Sequence, residues 1–202
     1  MNRELLLMNV HQTQLPPLLT VADFLDWPGD GSGMRYELVD GVLRAMSPGS
    51  DAHNTIVVNL TGLIWTHLRV HKPGYRAVAA LGVQPRLSAE WNYRIPDLGV
   101  TQAPNRPGQI MTPDPILLIE VLSPGNAQDT RENVRAYATL PTVQEIVVVH
   151  STRMRVETMR RDATGAWPEN PLIAEAVDDT IALASIAAEF KFTDIYAGTH
   201  LA

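Results

Sequence analysis

Two carboxylates occupy positions in apolar segments that predict buried strands. Asp97 lies within residues 93–100, and Glu120 lies within the apolar run of residues 116–122. Burying an unpaired carboxylate costs several kcal/mol, and glutamate is rarely fully buried without a partner. If the two segments pair as neighbouring strands, both acids can face one side of the sheet. Their hard oxygens would then suit a divalent cation such as Mg²⁺.

Each of these acids also has an interpretation that needs no metal. A carboxylate in an apolar strand can form a salt bridge with a nearby arginine, or it can protect an edge strand from aggregation. Either explanation accounts for one acid alone. However, Asp97 follows a proline, and Glu120 is enclosed by four apolar residues before it and two after it. The pair together therefore favours a shared site.

The length of 202 residues predicts one domain with a sizeable core, which we place at residues 18–202 after an N-terminal extension of residues 1–17. No apolar run approaches the length of about eighteen residues that a membrane span needs. The first apolar run is also too short for a secretory signal, so we expect a cytoplasmic protein without a membrane partner. The absence of cysteine excludes disulfides, thiolate zinc sites and cysteine nucleophiles.

The charge balance of the chain is acidic, with a formal net charge of −6 and a pI near 5.4. This balance argues against a protein that coats nucleic acid through a broad basic surface, since such binding depends on phosphate neutralisation. It does not exclude a metal-dependent nuclease, because bound cations supply part of the positive field that phosphate needs. Of the 16 basic residues, only Lys72 and Lys191 are lysines.

Apolar periodicity and turn signals predict a sheet with helices on both faces. The pair Asp40-Gly41 is typical of a type I′ hairpin turn, and His53 opens the apolar stripe of a long amphipathic helix. The spacing of Asp129 and Glu132 predicts a capping box. The predicted elements are a helix at 21–27, a hairpin of strands at 36–39 and 42–46, a helix at 51–69, strands at 75–87, 93–100 and 116–122, a helix at 130–140, a buried strand at 145–150, a hairpin at 153–161 and 172–177, and helix within 183–196.

Several short motifs, taken in order, resemble those of the Uma-type restriction-endonuclease-like proteins, a bacterial family of the PD-(D/E)XK nuclease superfamily. The likeness covers about residues 18–152 and rests on the motifs at residues 36–41, 46–53, 96–97 and 119–124 and at Asp129 and Tyr137. It implies an α/β (α+β) fold of the restriction-endonuclease type, with a mixed central β-sheet flanked by helices. It also implies a Mg²⁺-dependent endonuclease that hydrolyses DNA phosphodiester bonds, with Mn²⁺ as a substitute ion. A homodimer is expected, since cutting both strands needs two sites.

The resemblance assigns roles to three donors of the proposed metal site. It implies that the side chains of Asp97 and Glu120 and the backbone carbonyl of Val121 hold the ion. Such an ion lowers the pKa of a water molecule and orients it toward the scissile phosphodiester. The same ion stabilises the charge that develops on the phosphate.

Two further residues, Glu37 and His53, match family positions that complete the metal shell or orient the water. Each has an alternative role. Glu37 lies beside the Asp-Gly turn, where a cross-strand ion pair with Arg44 would explain it without chemistry. His53, in the first turn of an amphipathic helix, can be a partly buried imidazole.

The chain departs from the family pattern because it lacks the signature lysine. Leu122 occupies the place of the signature lysine, and Asn133 occupies the helical position, four residues after Asp129, from which family members supply it instead. Helical spacing points Asn133 toward the sheet, near the attacking water, and directs Arg131 and Arg135 to solvent. An amide brings no positive charge. Because losing one transition-state contact costs about 2.7–4 kcal/mol, a nuclease without this lysine would be slow.

Two other functions remain open at this point. The first is a catalytically weakened nuclease fold that binds nucleic acid or a protein partner without cutting. The second is a metal-free interaction domain in which both acids form salt bridges. Metal binding would distinguish a nuclease from the metal-free interaction domain. Plasmid cleavage would distinguish it from the weakened nuclease fold.

Overall fold

The computed structural model describes residues 18–202, in which four α-helices and ten β-strands are found. The predicted extension of residues 1–17 lies outside the described residues, and the single domain stays a prediction. The helices are α1 (Val21–Asp26), α2 (Asp51–His71), α3 (Ala127–Tyr137) and α4 (Phe192–Ile195). The strands are β1 (Tyr36–Val39), β2 (Val42–Ala45), β3 (Arg76–Ala79), β4 (Leu98–Thr101), β5 (Pro115–Leu122), β6 (Glu145–His150), β7 (Val156–Arg160), β8 (Leu172–Ala174), β9 (Thr180–Leu183) and β10 (Ala188–Lys191).

Strands β3 to β8 form one six-stranded sheet in chain order. All neighbours in it are antiparallel except β5 and β6, which run parallel. A parallel pair needs a crossover connection, and α3 lies in it. The predicted mixed sheet flanked by helices is therefore confirmed, with the hairpins β1–β2 and β9–β10 as separate two-stranded sheets.

Alternation along β5 divides the core between the two faces of the sheet. Ile119 and Val121 pack with α2 and the C-terminal segment, whereas Leu118 and Leu122 pack with α3. Glu120 has the same parity as the second pair. It therefore faces α3, which places a carboxylate in the layer between the sheet and that helix.

The hairpin β1–β2 forms as predicted at the Asp-Gly pair. Asp40 and Gly41 both have positive φ angles, of 48° and 81°, as a type I′ turn requires. The resulting register places Glu37 directly opposite Arg44. Residues directly opposite in an antiparallel pair lie on the same face, so the turn brings these two side chains together.

Helix α2 begins at the predicted residue and carries the predicted stripe. The Ser50 hydroxyl accepts a hydrogen bond from the backbone N–H of His53 and caps the helix. The buried side chains on this helix are His53, Ile56, Leu60, Ile64 and Leu68. Although α2 has 21 residues, no helix within residues 18–202 is long and apolar enough to cross a membrane.

The strand predicted at residues 75–87 is much shorter in the structure, because β3 ends at Ala79. Ala80 has a φ of 49°, which turns the chain out of the extended conformation. Beyond it, Gly82 and Val83 form only isolated bridges. The strand predicted at residues 93–100 is likewise shorter, since β4 begins at Leu98 and Asp97 precedes it.

The prediction for the start of α3 was wrong. The helix begins at Ala127, three residues earlier than predicted, after a tight turn in which Asn126 Oδ1 accepts a hydrogen bond from the Ser123 N–H at 2.6 Å. The predicted capping box of Asp129 and Glu132 is therefore absent at this helix start. Both acids lie inside the helix instead, where their side chains are free to contact another element.

The helix predicted within residues 183–196 is mostly a hairpin. Ile181 and Leu183 on β9 and Phe190 on β10 are buried in strict alternation with exposed neighbours, which is the period of a strand. Ala187, with a φ of 54°, turns the chain between the two strands. Only the four residues of α4 are α-helical.

Candidate active site

A cavity of about 500 Å³ opens between the hairpin β1–β2, the first turn of α2 and helix α3. Its walls combine residues that lie far apart in the sequence. All five side chains singled out for catalysis line it, namely Glu37, His53, Asp97, Glu120 and Asn133. The structure therefore brings the predicted residues together, and their catalytic roles stay predictions.

Asp97 is held at the edge of the cavity by two hydrogen bonds to a single carboxylate oxygen. The pairing of β4 with β5 ends where Leu98 lies opposite Ile119. The next free amide of β5, that of Val121, donates to Asp97 Oδ2 at 2.7 Å. The same oxygen lies 3.2 Å from His53 Nε2. Asp97 Oδ1 makes no hydrogen bond with any residue from 18 to 202.

Glu120 lies beneath the cavity floor with only 5% of its surface exposed. Its Oε1 accepts hydrogen bonds from the Tyr137 hydroxyl at 2.6 Å and from Asn133 Nδ2 at 3.3 Å. Burial, followed by the negative charge of Asp97, raises the pKa of Glu120 well above its usual value. Its Oε2 has no hydrogen-bond partner in the described part of the chain and lies at a cavity-lining position.

Glu37 has both of its carboxylate oxygens engaged. Oε1 accepts from the Ile95 N–H at 2.7 Å and from Asn133 Nδ2 at 3.2 Å, and Oε2 accepts from Arg44 Nη2 at 2.6 Å. The alternative cross-strand ion pair is therefore present. The same carboxylate also reaches α3, so the pair is part of the cavity wall and not an isolated surface contact.

Arg44 is a residue of this site whose contacts with α3 the sequence did not reveal. Its Nη1 donates to Asp129 Oδ1 at 3.1 Å and to Glu132 Oε2 at 3.0 Å. Its Nη2 donates to Glu37 Oε2 and to Asn133 Oδ1, each at 2.6 Å. Burial alone would lower the pKa of Arg44, but the hydrogen bond and charge of Glu37 raise it above its usual value.

A weak signal for this cluster did exist in the sequence. Arg44 was expected opposite Glu37, and Asp129, Glu132 and Asn133 are spaced three and four residues apart, which places them near one another on a helix. What was absent was any indication that the hairpin would pack against this part of α3. That contact joins residues that are 85 and 88 positions apart.

His53 has an imidazole ring that packs tightly against the loop before α2. Nδ1 of the ring lies 3.3 Å from Asn54 Oδ1, and Nε2 faces Asp97. Burial lowers the pKa of His53, but the hydrogen bond and charge of Asp97 outweigh burial and raise it overall. A Cβ on Gly49 would lie only 2.6 Å from both Nδ1 of the ring and Asn54 Oδ1. Glycine at this position therefore allows the ring its place.

Arg131 and Arg135, which helical spacing directs to solvent, lie outside the cavity lining. Arg135 is exposed, as predicted. Arg131 is exposed as well, as predicted, and its guanidinium donates two hydrogen bonds, at 2.6 and 2.9 Å, to the carboxylate of Glu157. The hydrogen bond from Arg131 lowers the pKa of Glu157 to about 2. Lys72 and Lys191 do not line the cavity either.

The donor set suits a hard divalent cation. Within residues 18–202 no group of three or more His, Cys, Asp or Glu side chains is arranged to hold a metal ion. The candidate donors are instead two carboxylates, through Asp97 Oδ1 and Glu120 Oε2, and one backbone carbonyl. Val121 donates its N–H to Asp97, and its carbonyl accepts a hydrogen bond from the cavity-lining Asn126 Nδ2 at 3.3 Å. Mg²⁺ commonly uses one or two carboxylates and keeps several waters, so these residues fit it.

Known proteins provide an independent comparison. A family model, Uma2, described as putative restriction endonuclease, matches residues 21–193. The uncharacterized protein slr1290 of Synechocystis sp. is 29% identical over 194 residues, which cover 95% of this chain and 98% of that protein. The crystal structure of a putative nuclease belonging to DUF820 from Anabaena variabilis covers 89% of this chain and 98% of its own, with a TM-score of 0.70 and 17% identity.

The structural likeness shows a shared fold, and the family match extends over most of the chain, including every residue of the cavity discussed above. The predicted family resemblance is thereby confirmed. This chain belongs to the Uma2 family of putative restriction endonucleases.

Proposed function

We propose that this protein is a Mg²⁺-dependent endonuclease that hydrolyses DNA phosphodiester bonds in the cavity beside Asp97 and Glu120. One observation carries the proposal. Each of these carboxylates has one oxygen fixed by hydrogen bonds and one oxygen without a partner in the described chain, and both residues line the same cavity. The family membership, with its putative restriction endonuclease description, supports the same reaction class.

The protein's own residues would prepare the site for a divalent ion. When bound, the ion would lower the pKa of an attacking water and stabilise negative charge on the phosphate. The Val121 N–H and the His53 imidazole orient Asp97, and the Tyr137 hydroxyl orients Glu120. Fixed donors of this kind reduce the reorganisation that the reaction requires.

Glu37 and Asn133 act in this proposal as positioning residues. Both oxygens of Glu37 are already occupied, and its carboxylate holds the Asn133 side chain and Arg44. Asn133 in turn donates to Glu120. We therefore assign them to the support of Glu120, and not to the metal shell.

Cation binding would be linked to the loss of a proton from Glu120. Because burial and the neighbouring acids raise the pKa of this carboxyl group, the protonated form is favoured without an ion. A ligand carboxylate must be ionised, so the affinity for Mg²⁺ or Mn²⁺ should rise with pH above the ordinary range of a glutamate.

Plasmid cleavage in the presence of Mg²⁺ or Mn²⁺ tests the proposal. We expect cleavage that depends on the added ion and falls about a hundred-fold or more in Asp97→Asn and Glu120→Gln. Glu145→Gln is the matched control, since Glu145 is fully buried but does not line the cavity. Cleavage that persists in EDTA, or that Asp97→Asn leaves unchanged, would contradict the proposal.

A second candidate function is a nuclease fold that binds nucleic acid or a protein without cutting. The observation that favours it is the asparagine at position 133, which provides no positive charge next to Glu120. Isothermal titration calorimetry with Mn²⁺ separates the two candidates. Ion binding to Asp97 and Glu120 without any plasmid cleavage would select the binding protein.

Cutting both DNA strands requires two such sites. For this reason we propose that the active form is a homodimer. Sedimentation equilibrium of the full chain, with and without duplex DNA and Ca²⁺, would measure the assembly, and a monomer under all these conditions would contradict it.

A further inference from the structure

Four oxygen atoms surround the guanidinium of Arg44 at the cavity wall. They belong to the carboxylates of Glu37, Asp129 and Glu132 and to the side-chain amide of Asn133, at distances of 2.6 to 3.1 Å from the two Nη atoms. Arg44 and Glu37 are largely buried, with side-chain exposures of 18% and 4%. A set of oxygens around one positive charge is also the environment that a hard divalent ion requires.

The guanidinium has little capacity left for a substrate. Each Nη atom carries two N–H groups, and each already has two acceptors within the chain. The three carboxylates more than neutralise its single charge. Arg44 is thus arranged as a fixed internal cation and not as a group that waits for a phosphate.

The position of this cation relative to the proposed metal ion is informative. Asn133 connects them, because its Oδ1 accepts from Arg44 while its Nδ2 donates to Glu120. Many phosphodiester-cleaving sites contain two divalent ions about 3.5–4 Å apart, held by carboxylates. Here a guanidinium is held by the carboxylates next to the proposed ion.

We propose that Arg44 occupies the second cation position of this site, so that the cavity binds a single divalent ion. The inference rests on the proposed function, since it presupposes an ion between Asp97 and Glu120. Arg44 is in this sense a positioning residue that sets the number of ions.

This arrangement also accounts for the asparagine at position 133. The Asn133 oxygen lies 2.6 Å from Arg44 Nη2, so a lysine ammonium in its place would meet a guanidinium. Like charges at such a distance repel each other. A lysine at position 133 would also remove the acceptor that Asn133 provides to Arg44, so the asparagine suits a site that contains this arginine.

The number of bound Mn²⁺ ions tests the proposal without any need for activity. Calorimetric titration of the full chain with MnCl₂, checked by electron paramagnetic resonance of free Mn²⁺, should give one ion for the unmodified protein. Arg44→Ala should bind two, because Glu37, Asp129 and Glu132 become available. Arg44→Lys keeps the charge and should bind one.

Two further variants serve as matched controls. Arg44→Ala combined with Glu37→Gln removes the buried ligand and should return the count to one ion. Arg155→Ala releases another buried carboxylate, that of Glu157, from an arginine partner at 3.2 Å. The Arg155→Ala protein should also bind one ion, since Glu157 does not line the cavity.

The second measurement is thermal unfolding, which remains informative if Arg44→Ala folds poorly. Asn133→Lys should lower the melting temperature markedly on its own, and adding Arg44→Ala should restore part of the loss. Two Mn²⁺ ions in the unmodified protein, one ion in folded Arg44→Ala, or no recovery in the double variant would overturn the inference. An unmodified protein that binds no Mn²⁺ would instead overturn the proposed function.

Discussion

Glu120 is a residue whose ionisation opposes folding. Burial and the negative charge of Asp97 raise its pKa well above the usual value of about 4.5, which the carboxyl group keeps in the unfolded chain. Between these two values the folded state binds more protons than the unfolded state. The free energy of unfolding should therefore fall as pH rises above about 4.5. A bound divalent ion would offset this loss.

We expect Glu120→Gln to raise the free energy of unfolding at pH 8 by roughly 1–3 kcal/mol, which is the penalty of an incompletely paired buried polar group. The gain should shrink as the pH falls toward 4.5, because the raised pKa of Glu120 favours the uncharged carboxyl group in the fold. Urea unfolding at both pH values measures it.

Glu145→Gln is the control, and we expect it to change the free energy of unfolding in the opposite direction. The Glu145 carboxylate is paired with Arg160 at 2.7 Å and accepts a hydrogen bond from the Ser185 hydroxyl, also at 2.7 Å. Its loss should lower stability. A Glu120→Gln protein that is no more stable than the original at pH 8 would show that this carboxylate is adequately paired.

At the scale of elements, the hairpin β1–β2 positions Glu37 and Arg44 in the cavity wall. Its register delivers Glu37 and Arg44 as opposite residues. The backbone of Leu38 is hydrogen-bonded in both directions to Tyr93, at 2.9 Å each way, which joins the hairpin to the segment that leads into Asp97. A disturbance of the turn should therefore reach the site.

We expect Gly41→Val to weaken Mn²⁺ binding as well as stability. The left-handed backbone at Gly41 costs a branched residue about 1–2 kcal/mol, and a Cβ there would lie 3.1 Å from atoms of Leu18 and Trp91. The hairpin must then shift relative to β4. Calorimetric titration with MnCl₂ and thermal unfolding measure the two effects.

Gly165→Val is the control that separates the effect of backbone strain from the effect of displacing the hairpin β1–β2. Gly165 also has a positive φ, of 85°, but a Cβ there would meet nothing within 4 Å. This variant should lose a similar amount of backbone stability and keep its Mn²⁺ affinity. Equal losses of affinity in both variants would refute the positioning role of the hairpin.

At the scale of the whole molecule, the charge distribution limits how DNA can be bound. The chain has a formal net charge of −6. The cavity lining contains four acids, Glu37, Asp97, Glu120 and Asp129, against three basic residues, Arg35, Arg44 and His53. Without a divalent ion, the net negative charge of the chain should oppose the approach of a phosphate backbone.

We therefore expect DNA binding to require a divalent ion and to involve few phosphate contacts. In fluorescence anisotropy, Ca²⁺ should promote binding, and the slope of log K against log salt should be shallower than about −3. Asp97→Asn should abolish the Ca²⁺ effect. Tight binding in EDTA with a steep salt slope would indicate a basic surface elsewhere on the molecule.

The elements that could be predicted from sequence have local signals. The Asp40-Gly41 turn and the α2 stripe that starts at His53 depend only on neighbouring residues, and both are confirmed. The end of β3 at Ala79 and the β9–β10 hairpin could not be predicted in this way. A positive φ at an alanine has no sequence signature, and a short apolar run fits either a helix or a strand.

The sequence by itself determined that two acids lie in apolar segments, that Glu37 faces Arg44, and that Asn133 points toward the sheet. Only the tertiary structure decided that Arg44 would meet Asp129 and Glu132 and that Val121 would bind Asp97. The physical reason is that turns and helix faces follow from neighbouring residues, whereas the partner of a buried charge depends on how separate elements pack and in which register.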